Sequence, residues 1–78
     1  MIRLRIMTES FTREEEADAV FLPGGYCPFE VLPGHAPMIS ALSAGELRWR
    51  RGAVEEALAV KGGVVRIKSD EMDVCVQI

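Results

Sequence analysis

Apolar and polar residues alternate with a period of two in four separate segments of this chain. The segments cover residues 2–7, 47–50, 65–68 and 72–78. A β-strand turns successive side chains to opposite faces, so this period is typical of strands that pack on a core from one side. Turn-forming pairs separate the segments at intervals of 7 to 11 residues, close to the spacing of about eight to twelve residues that suits short antiparallel strands. These pairs are Ala44-Gly45, Arg51-Gly52, Gly62-Gly63 and Ser69-Asp70. The chain is therefore predicted to be all-β, as a sandwich or a barrel.

The stretch between Pro23 and Pro37 differs in composition from the rest of the chain. It contains all four prolines and three of the seven glycines. Proline lacks an amide hydrogen and restricts the residue before it, so no helix of useful length fits here. We predict one short strand over residues 29–32, with Pro-Gly turns on both sides.

Two segments rich in Glu and Ala, residues 12–20 and 54–60, favour a helix by composition alone. The second is too short for a stable isolated helix and carries apolar residues at alternate positions, so it is predicted to be a strand. For the first segment we expect a turn over residues 12–16 that leads into a strand over residues 17–22.

The size and composition of the chain exclude several classes of protein. A length of 78 residues allows one small domain, and 49% apolar with 27% charged residues is typical of a folded chain. No apolar run approaches the roughly 18–20 residues that span a bilayer, and the N-terminal segment alternates too quickly for a secretory signal. The two cysteines, Cys27 and Cys75, are interpreted as free thiols in a reducing compartment.

The residues capable of chemistry form no recognisable active site. His35 is the only imidazole, and as a general base or metal ligand it would need partners, of which its segment offers only Glu30. We interpret it as a loop histidine that fixes a turn or contacts a partner. The glycine pairs match no phosphate-binding motif, and Glu14, Glu15 and Glu16 are interpreted as a solvated surface. We therefore expect no catalytic residue, no metal site, no cofactor and no small-molecule substrate.

Six basic side chains would form a stripe if the strands that carry them were adjacent. They are Arg3, Arg5, Arg48, Arg50, Arg66 and Lys68. We interpret the stripe as a solvated outer sheet face, because positive side chains discourage pairing at sheet edges. The alternative is a free-standing small β-barrel that binds single-stranded nucleic acid through these residues. The formal net charge of −3 argues against it, since phosphate-binding proteins usually carry a basic excess.

One run of residues resembles a known family. Phe-Leu-Pro-Gly at residues 21–24 is followed by Phe-Glu-Val-Leu-Pro-Gly-His-Ala-Pro at residues 29–37. With Ala44-Gly45 and Gly62-Gly63 at the expected distances behind it, this run resembles the N-terminal β-sandwich domain of the ATP synthase epsilon subunit, which is called delta in mitochondria. The similarity covers nearly the whole chain. It implies a two-layer sandwich of about 8 to 10 short, mostly antiparallel strands.

The resemblance also implies a function and partners. Members of this family are non-catalytic central-stalk subunits of the F-type proton-translocating ATP synthase, at the cytoplasmic face of the bacterial inner membrane. They link the gamma subunit to the c-ring and couple proton flow to ATP synthesis, with no nucleic acid and no substrate of their own. The positions that match the gamma-facing stretch are His35, Ala36, Pro37, Met38 and Ser40. The positions that match the c-ring-facing loop are Gly24, Gly25, Tyr26, Cys27 and Pro28.

This chain departs from the family pattern at two points. Tyr-Cys-Pro-Phe-Glu-Val at residues 26–31 replaces a usual Gly-Glu/Asp-Leu-Gly stretch, so the acid that often faces the c-ring is not at its usual place. We also expect residues 1–78 to form a single domain without the family's C-terminal helical hairpin. Inhibition by helix insertion and nucleotide sensing are then not expected of this chain.

Overall fold

The computed structural model describes residues 1–78, in which nine strands form two sheets. The strands are β1 (Ile2–Met7), β2 (Thr12–Ala17), β3 (Ala19–Leu22), β4 (Phe29–Val31), β5 (Met38–Leu42), β6 (Gly45–Arg51), β7 (Val54–Val60), β8 (Gly62–Lys68) and β9 (Glu71–Gln77). The five-stranded sheet has the order β2-β1-β9-β8-β5, and the four-stranded sheet has the order β4-β3-β6-β7. The predicted all-β two-layer sandwich is confirmed. No helix in the structure has the length and apolar character that crossing a bilayer requires.

The alternation along each strand builds a core between the two sheets. In β1, Ile2, Leu4 and Ile6 are buried, while the two arginines between them are exposed. Inward residues from both sheets form one cluster of 16 buried apolar side chains. No charged side chain is buried, so any charged group available for function lies at or near the surface.

Most neighbouring strands are antiparallel, and the exception lies in the middle of the five-stranded sheet. There β1 pairs in parallel with β9, so the first and last strands lie side by side. On one side of the sandwich, a bridge between Gly24 and Leu42 connects the end of β3 to the end of β5. On the other side, Arg13 of β2 donates a hydrogen bond to Glu56 of β7 at 2.6 Å. Each open side between the sheets is thus crossed by at least one hydrogen-bonded contact.

Two-residue turns join the consecutive strands of two hairpins. Gly52-Ala53 connects β6 to β7, and Ser69-Asp70 connects β8 to β9. Ser69 and Asp70 have φ values of 51° and 60°, as a type I′ turn requires. The second turn lies at the predicted pair, and the first lies one residue after the predicted pair Arg51-Gly52. The strand predicted over residues 54–60 is confirmed as β7, and the strand predicted over residues 29–32 is confirmed as β4, which ends at Val31.

The prediction of a turn over residues 12–16 is wrong, because these residues form most of β2. Glu14 and Glu16 stand opposite Arg5 and Arg3 of β1. Cross-strand pairs of opposite charge stabilise an antiparallel pair. This pairing outweighs the helix-favouring composition, since strand preference depends strongly on context.

The prediction of a turn at Gly62-Gly63 is also wrong, because both glycines belong to β8 and only Lys61 separates it from β7. A Cβ atom on Gly63 would collide with the carbonyl oxygen of Cys75 and with Val76 in β9. Glycine is therefore needed here for the close approach of two strands.

Candidate docking surfaces

The Leu-Pro-Gly-His-Ala-Pro segment, residues 32–37, is the whole loop between β4 and β5. Its first four residues make a type II turn, in which Gly34 has a φ of 83° and the His35 amide donates to the Leu32 carbonyl at 3.3 Å. The His35 ring is half-buried, and its Nδ1 lies 2.7 Å from the Ala36 carbonyl oxygen. A carbonyl can only accept, so Nδ1 donates and Nε2 remains to meet a partner. The hydrogen bond of the ring is thus to the backbone of its own loop.

The residues predicted to face gamma are divided between two environments. Ala36 and Pro37 are exposed in the loop. Met38 and Ser40 are half-buried on the side of β5 that faces the core, where Met38 packs against the buried cluster. The residue between them, Ile39, points outward and is 72% exposed. Sequence matching therefore identifies the strand but misses its most exposed apolar side chain.

Four apolar or weakly polar residues form a row across the outer face of the five-stranded sheet. Ala41 of β5, Val64 of β8, Cys75 of β9 and Met7 of β1 occupy neighbouring register positions. Met7 is half-buried, and the other three are exposed. Adjacent strands lie about 4.8 Å apart, so this apolar row is about 14 Å long. Sequence reasoning missed the row because only the strand order brings its members together.

The loop predicted to face the c-ring lies at the other end of β5. Its base is fixed, because Gly24 is buried and the Gly25 amide donates to the Ala41 carbonyl at 3.1 Å. The remaining loop residues, Tyr26, Cys27 and Pro28, are exposed. The Tyr26 ring is fully exposed, so the loop presents one aromatic side chain to solvent on an anchored backbone.

The predicted basic stripe does not assemble on one face. Arg48 and Arg50 lie in the four-stranded sheet, whereas the other four basic residues lie in the five-stranded sheet. Acidic residues alternate with those four across the strands, and Asp73 accepts hydrogen bonds from Arg66 at 2.9 Å and Arg5 at 3.3 Å. These ion pairs neutralise the face, so the nucleic-acid-binding alternative is not supported.

Ion pairs also perturb two titratable groups. The hydrogen bond from Arg66 is the main cause that holds the pKa of Asp73 below its ordinary value, against the opposing effect of partial burial. Hydrogen bonds to Glu56 and then Glu15 raise the pKa of Arg13. No group of three or more His, Cys, Asp or Glu side chains is arranged to hold a metal ion.

Comparison with known proteins identifies relatives along the whole chain. Residues 1–78 match the family model described as ATP synthase, Delta/Epsilon chain, beta-sandwich domain. An ATP synthase epsilon chain of Dehalococcoides mccartyi is 39% identical over 72 residues, which cover 91% of this chain and 51% of that protein. An ATP synthase epsilon chain of Leptospira interrogans is 35% identical over 69 residues, which cover 88% and 54%. The chain thus spans about half the length of the curated relatives it matches.

Two solved structures contain chains with the same fold. One comes from the OSCP/F1/c-ring structure of Euglena gracilis mitochondrial ATP synthase, with a TM-score of 0.89 and 19% identity over 96% of this chain and 49% of that one. The other comes from the central stalk/c-ring structure of Tetrahymena thermophila mitochondrial ATP synthase, with a TM-score of 0.80 and 10% identity over 99% and 63%. At these identities the likeness shows the shared sandwich alone.

Proposed function

The chain belongs to the family of ATP synthase delta and epsilon chains through its β-sandwich domain, and we propose that it is part of a central-stalk subunit of an F-type ATP synthase. In this function it performs no catalysis. It links the gamma subunit to the c-ring, so that proton-driven rotation of the ring reaches gamma and supports ATP synthesis in other subunits. The bacterial origin of its curated relatives supports a peripheral location at the cytoplasmic face of a bacterial inner membrane.

The outer side of β5 is the proposed docking surface for gamma. It extends from the His35 loop past Ile39 to the apolar row, whereas the neighbouring positions on the same sheet carry ion pairs such as Arg66–Asp73. Contiguous exposed apolar surface marks interaction sites, and covering it stabilises a complex by about 25 cal/mol per Å². The exposed Ile39 and the apolar row, which lie beside the His35 loop, are the observation that supports the proposal.

The loop of residues 24–28 is the proposed contact with the c-ring. It lies beside Ala41, while the His35 loop precedes Met38, so the two loops meet opposite ends of β5. The strand rises about 3.4 Å per residue, which separates this loop from the His35 loop by about 14 Å. Gamma and the ring can therefore contact the domain at the same time, and the exposed Tyr26 ring offers an apolar contact in place of the acid that the family often has.

Replacement of Ile39 by Ser tests the gamma surface. The matched control is Val54→Ser, because Val54 is 65% exposed but lies at the start of β7 in the other sheet. In size-exclusion chromatography with gamma of the same organism, we expect the unchanged chain and Val54→Ser to co-elute with gamma. Ile39→Ser is expected to weaken binding about tenfold or more, as loss of a central apolar contact does. Separate peaks for the unchanged chain at micromolar concentration would contradict the proposal.

Replacement of His35 by Ala tests the loop. We expect weaker gamma binding with an unchanged thermal unfolding midpoint, because the ring bonds only to the adjacent Ala36 carbonyl. Unfolding of this variant would instead give the histidine a structural function.

Replacement of Tyr26 by Ala is expected to weaken association of the gamma complex with membranes that contain the c-ring, while binding to gamma alone stays the same.

A further inference from the structure

The turn between β8 and β9 places a carboxylate against the His35 loop. Asp70 Oδ1 accepts a hydrogen bond from the Gly34 amide at 2.7 Å, across 36 residues of sequence. The Asp70 carbonyl oxygen accepts a second bond from the Arg3 amide at 2.8 Å. One residue thus connects the loop, the hairpin turn and β1.

The bond from Gly34 is the loop's connection to the rest of the sandwich. Within residues 33–37, no other hydrogen bond reaches a distant part of the chain. The bond that closes the type II turn, from the His35 amide to the Leu32 carbonyl, is longer at 3.3 Å. The hydrogen bond to Asp70 therefore contributes more to the orientation of the loop than the hydrogen bond within the loop.

Asp70 also occupies a backbone position at which glycine would be easier to accommodate. Its φ is 60°, at the second central position of a type I′ turn, where glycine is preferred because it has no Cβ to clash. The turn has no need of a carboxylate. The hydrogen bond to Gly34 is what the side chain adds.

We propose that Asp70 is a positioning residue for the gamma-docking surface. By holding the Gly34 amide, it fixes the His35 ring and Pro37 in the arrangement that gamma binds, without touching gamma itself. A loop that is already ordered loses less conformational freedom on binding, so the effect of Asp70 is on affinity. This inference rests on the proposed function of the His35 loop.

Two substitutions separate the carboxylate from the turn. Asp70→Gly accepts the positive φ and removes the acceptor, whereas Asp70→Asn accepts the positive φ and keeps an acceptor oxygen. Hydrogen exchange of the Gly34 amide, followed by NMR in the 78-residue chain, reports on the bond, and calorimetry reports on binding to gamma. For Asp70→Gly we expect the exchange rate of the Gly34 amide and the dissociation constant for gamma each to rise about tenfold. For Asp70→Asn we expect both to stay near the unchanged chain.

The possible outcomes distinguish the positioning function from the proposed function. If Asp70→Gly exposes the Gly34 amide but binds gamma as tightly as the unchanged chain, the positioning function is wrong and the proposed function stands. The positioning function is equally wrong if Gly34 exchange does not change, or if Asp70→Asn loses as much affinity as Asp70→Gly. If the unchanged chain does not bind gamma, the proposed function fails and the positioning function fails with it.

Discussion

At the scale of single residues, Gly63 sets the distance between two strands. A Cβ atom there would overlap the carbonyl oxygen of Cys75 and approach Val76, so Gly63→Ala forces β8 away from β9. We expect the free energy of unfolding to fall by about 2 kcal/mol, within the range of overpacking in a tight site. Gly25→Ala is the control, because its Cβ would lie 3.6 Å from the nearest atom, the Ala41 oxygen. Thermal unfolding measures both, and equal losses would contradict this explanation.

For single residues, the sequence predicts that the His35 loop is part of the surface for gamma, but it does not predict which neighbouring side chains point outward. Family resemblance assigns positions along the chain, and it named Met38 and Ser40, which are turned toward the core. Ile39 is the outward residue because Met38 pairs with buried Ile67 of β8 in the sheet register. That register depends on a strand more than twenty residues away, and no local signal in β5 encodes it.

At the scale of elements, β2 is an edge strand with charge on its inward side. The Arg13 guanidinium carbon lies 5.3 Å from the centre of the Trp49 ring, and Arg13 also donates to Glu15 at 2.7 Å. Inward-pointing charge prevents an edge strand from pairing with another chain. Arg13 thereby covers the core and protects the edge.

Replacement of Arg13 by Ala is expected to uncover Trp49, which is the only tryptophan and is 3% exposed. Its fluorescence emission should move to longer wavelength, with a stability loss of about 1 kcal/mol from the cation–π contact and partly exposed ion pairs. Arg50→Ala serves as the control, because Arg50 is exposed in β6. An emission maximum that stays the same in Arg13→Ala would show that other side chains cover the ring.

The outer face of the five-stranded sheet makes stability depend on pH in the acid range. Bonds from Arg66 and Arg5 lower the pKa of Asp73 in the folded chain, so the carboxylate stabilises the fold above its unfolded pKa of about 3.9. This contribution is lost as the pH falls through the lower folded pKa. Asp73→Asn should therefore be less stable than the unchanged chain near pH 7. The difference should shrink toward about pH 2 in urea unfolding, and a constant difference would contradict it.

Two elements of similar composition show what sequence patterning can predict. In β7, Leu58 and Val60 alternate with smaller or charged residues, so the sequence predicts the strand despite its Glu and Ala content. In β2, the inward positions carry Arg13 and Glu15, so the sequence shows no alternation of apolar and polar residues that would predict a strand. Prediction succeeded where the core imposes the period and failed where an ion pair replaces it.

At the scale of the whole molecule, paired charges determine what the surface does not bind. Basic residues of the five-stranded sheet face acidic neighbours, and the net charge is −3. We expect no binding of a single-stranded RNA oligonucleotide in fluorescence anisotropy at about 100 mM salt, because counterion release needs unpaired cations. Binding at about 100 mM salt that becomes much stronger when the salt is lowered to about 20 mM would contradict this expectation.

The all-β class of the whole molecule was predictable, because alternation and turn spacing occur along most of the chain. The strand order was not. A period of two specifies which face of a strand is buried but not which strand is its neighbour, so the parallel pairing of β1 with β9 has no sequence signal.

That parallel pair has a consequence for synthesis on the ribosome. Until β9 emerges, β1 has only β2 beside it in the five-stranded sheet, so one edge of β1 stays unpaired. At about 5–20 residues per second, translation of the intervening chain takes roughly 3 to 14 s. During that time Arg3 and Arg5 act as gatekeepers, since charges set between apolar residues discourage aggregation of a nascent strand. The arginines of β1 thus protect the nascent chain from aggregation before they form any ion pair with β9.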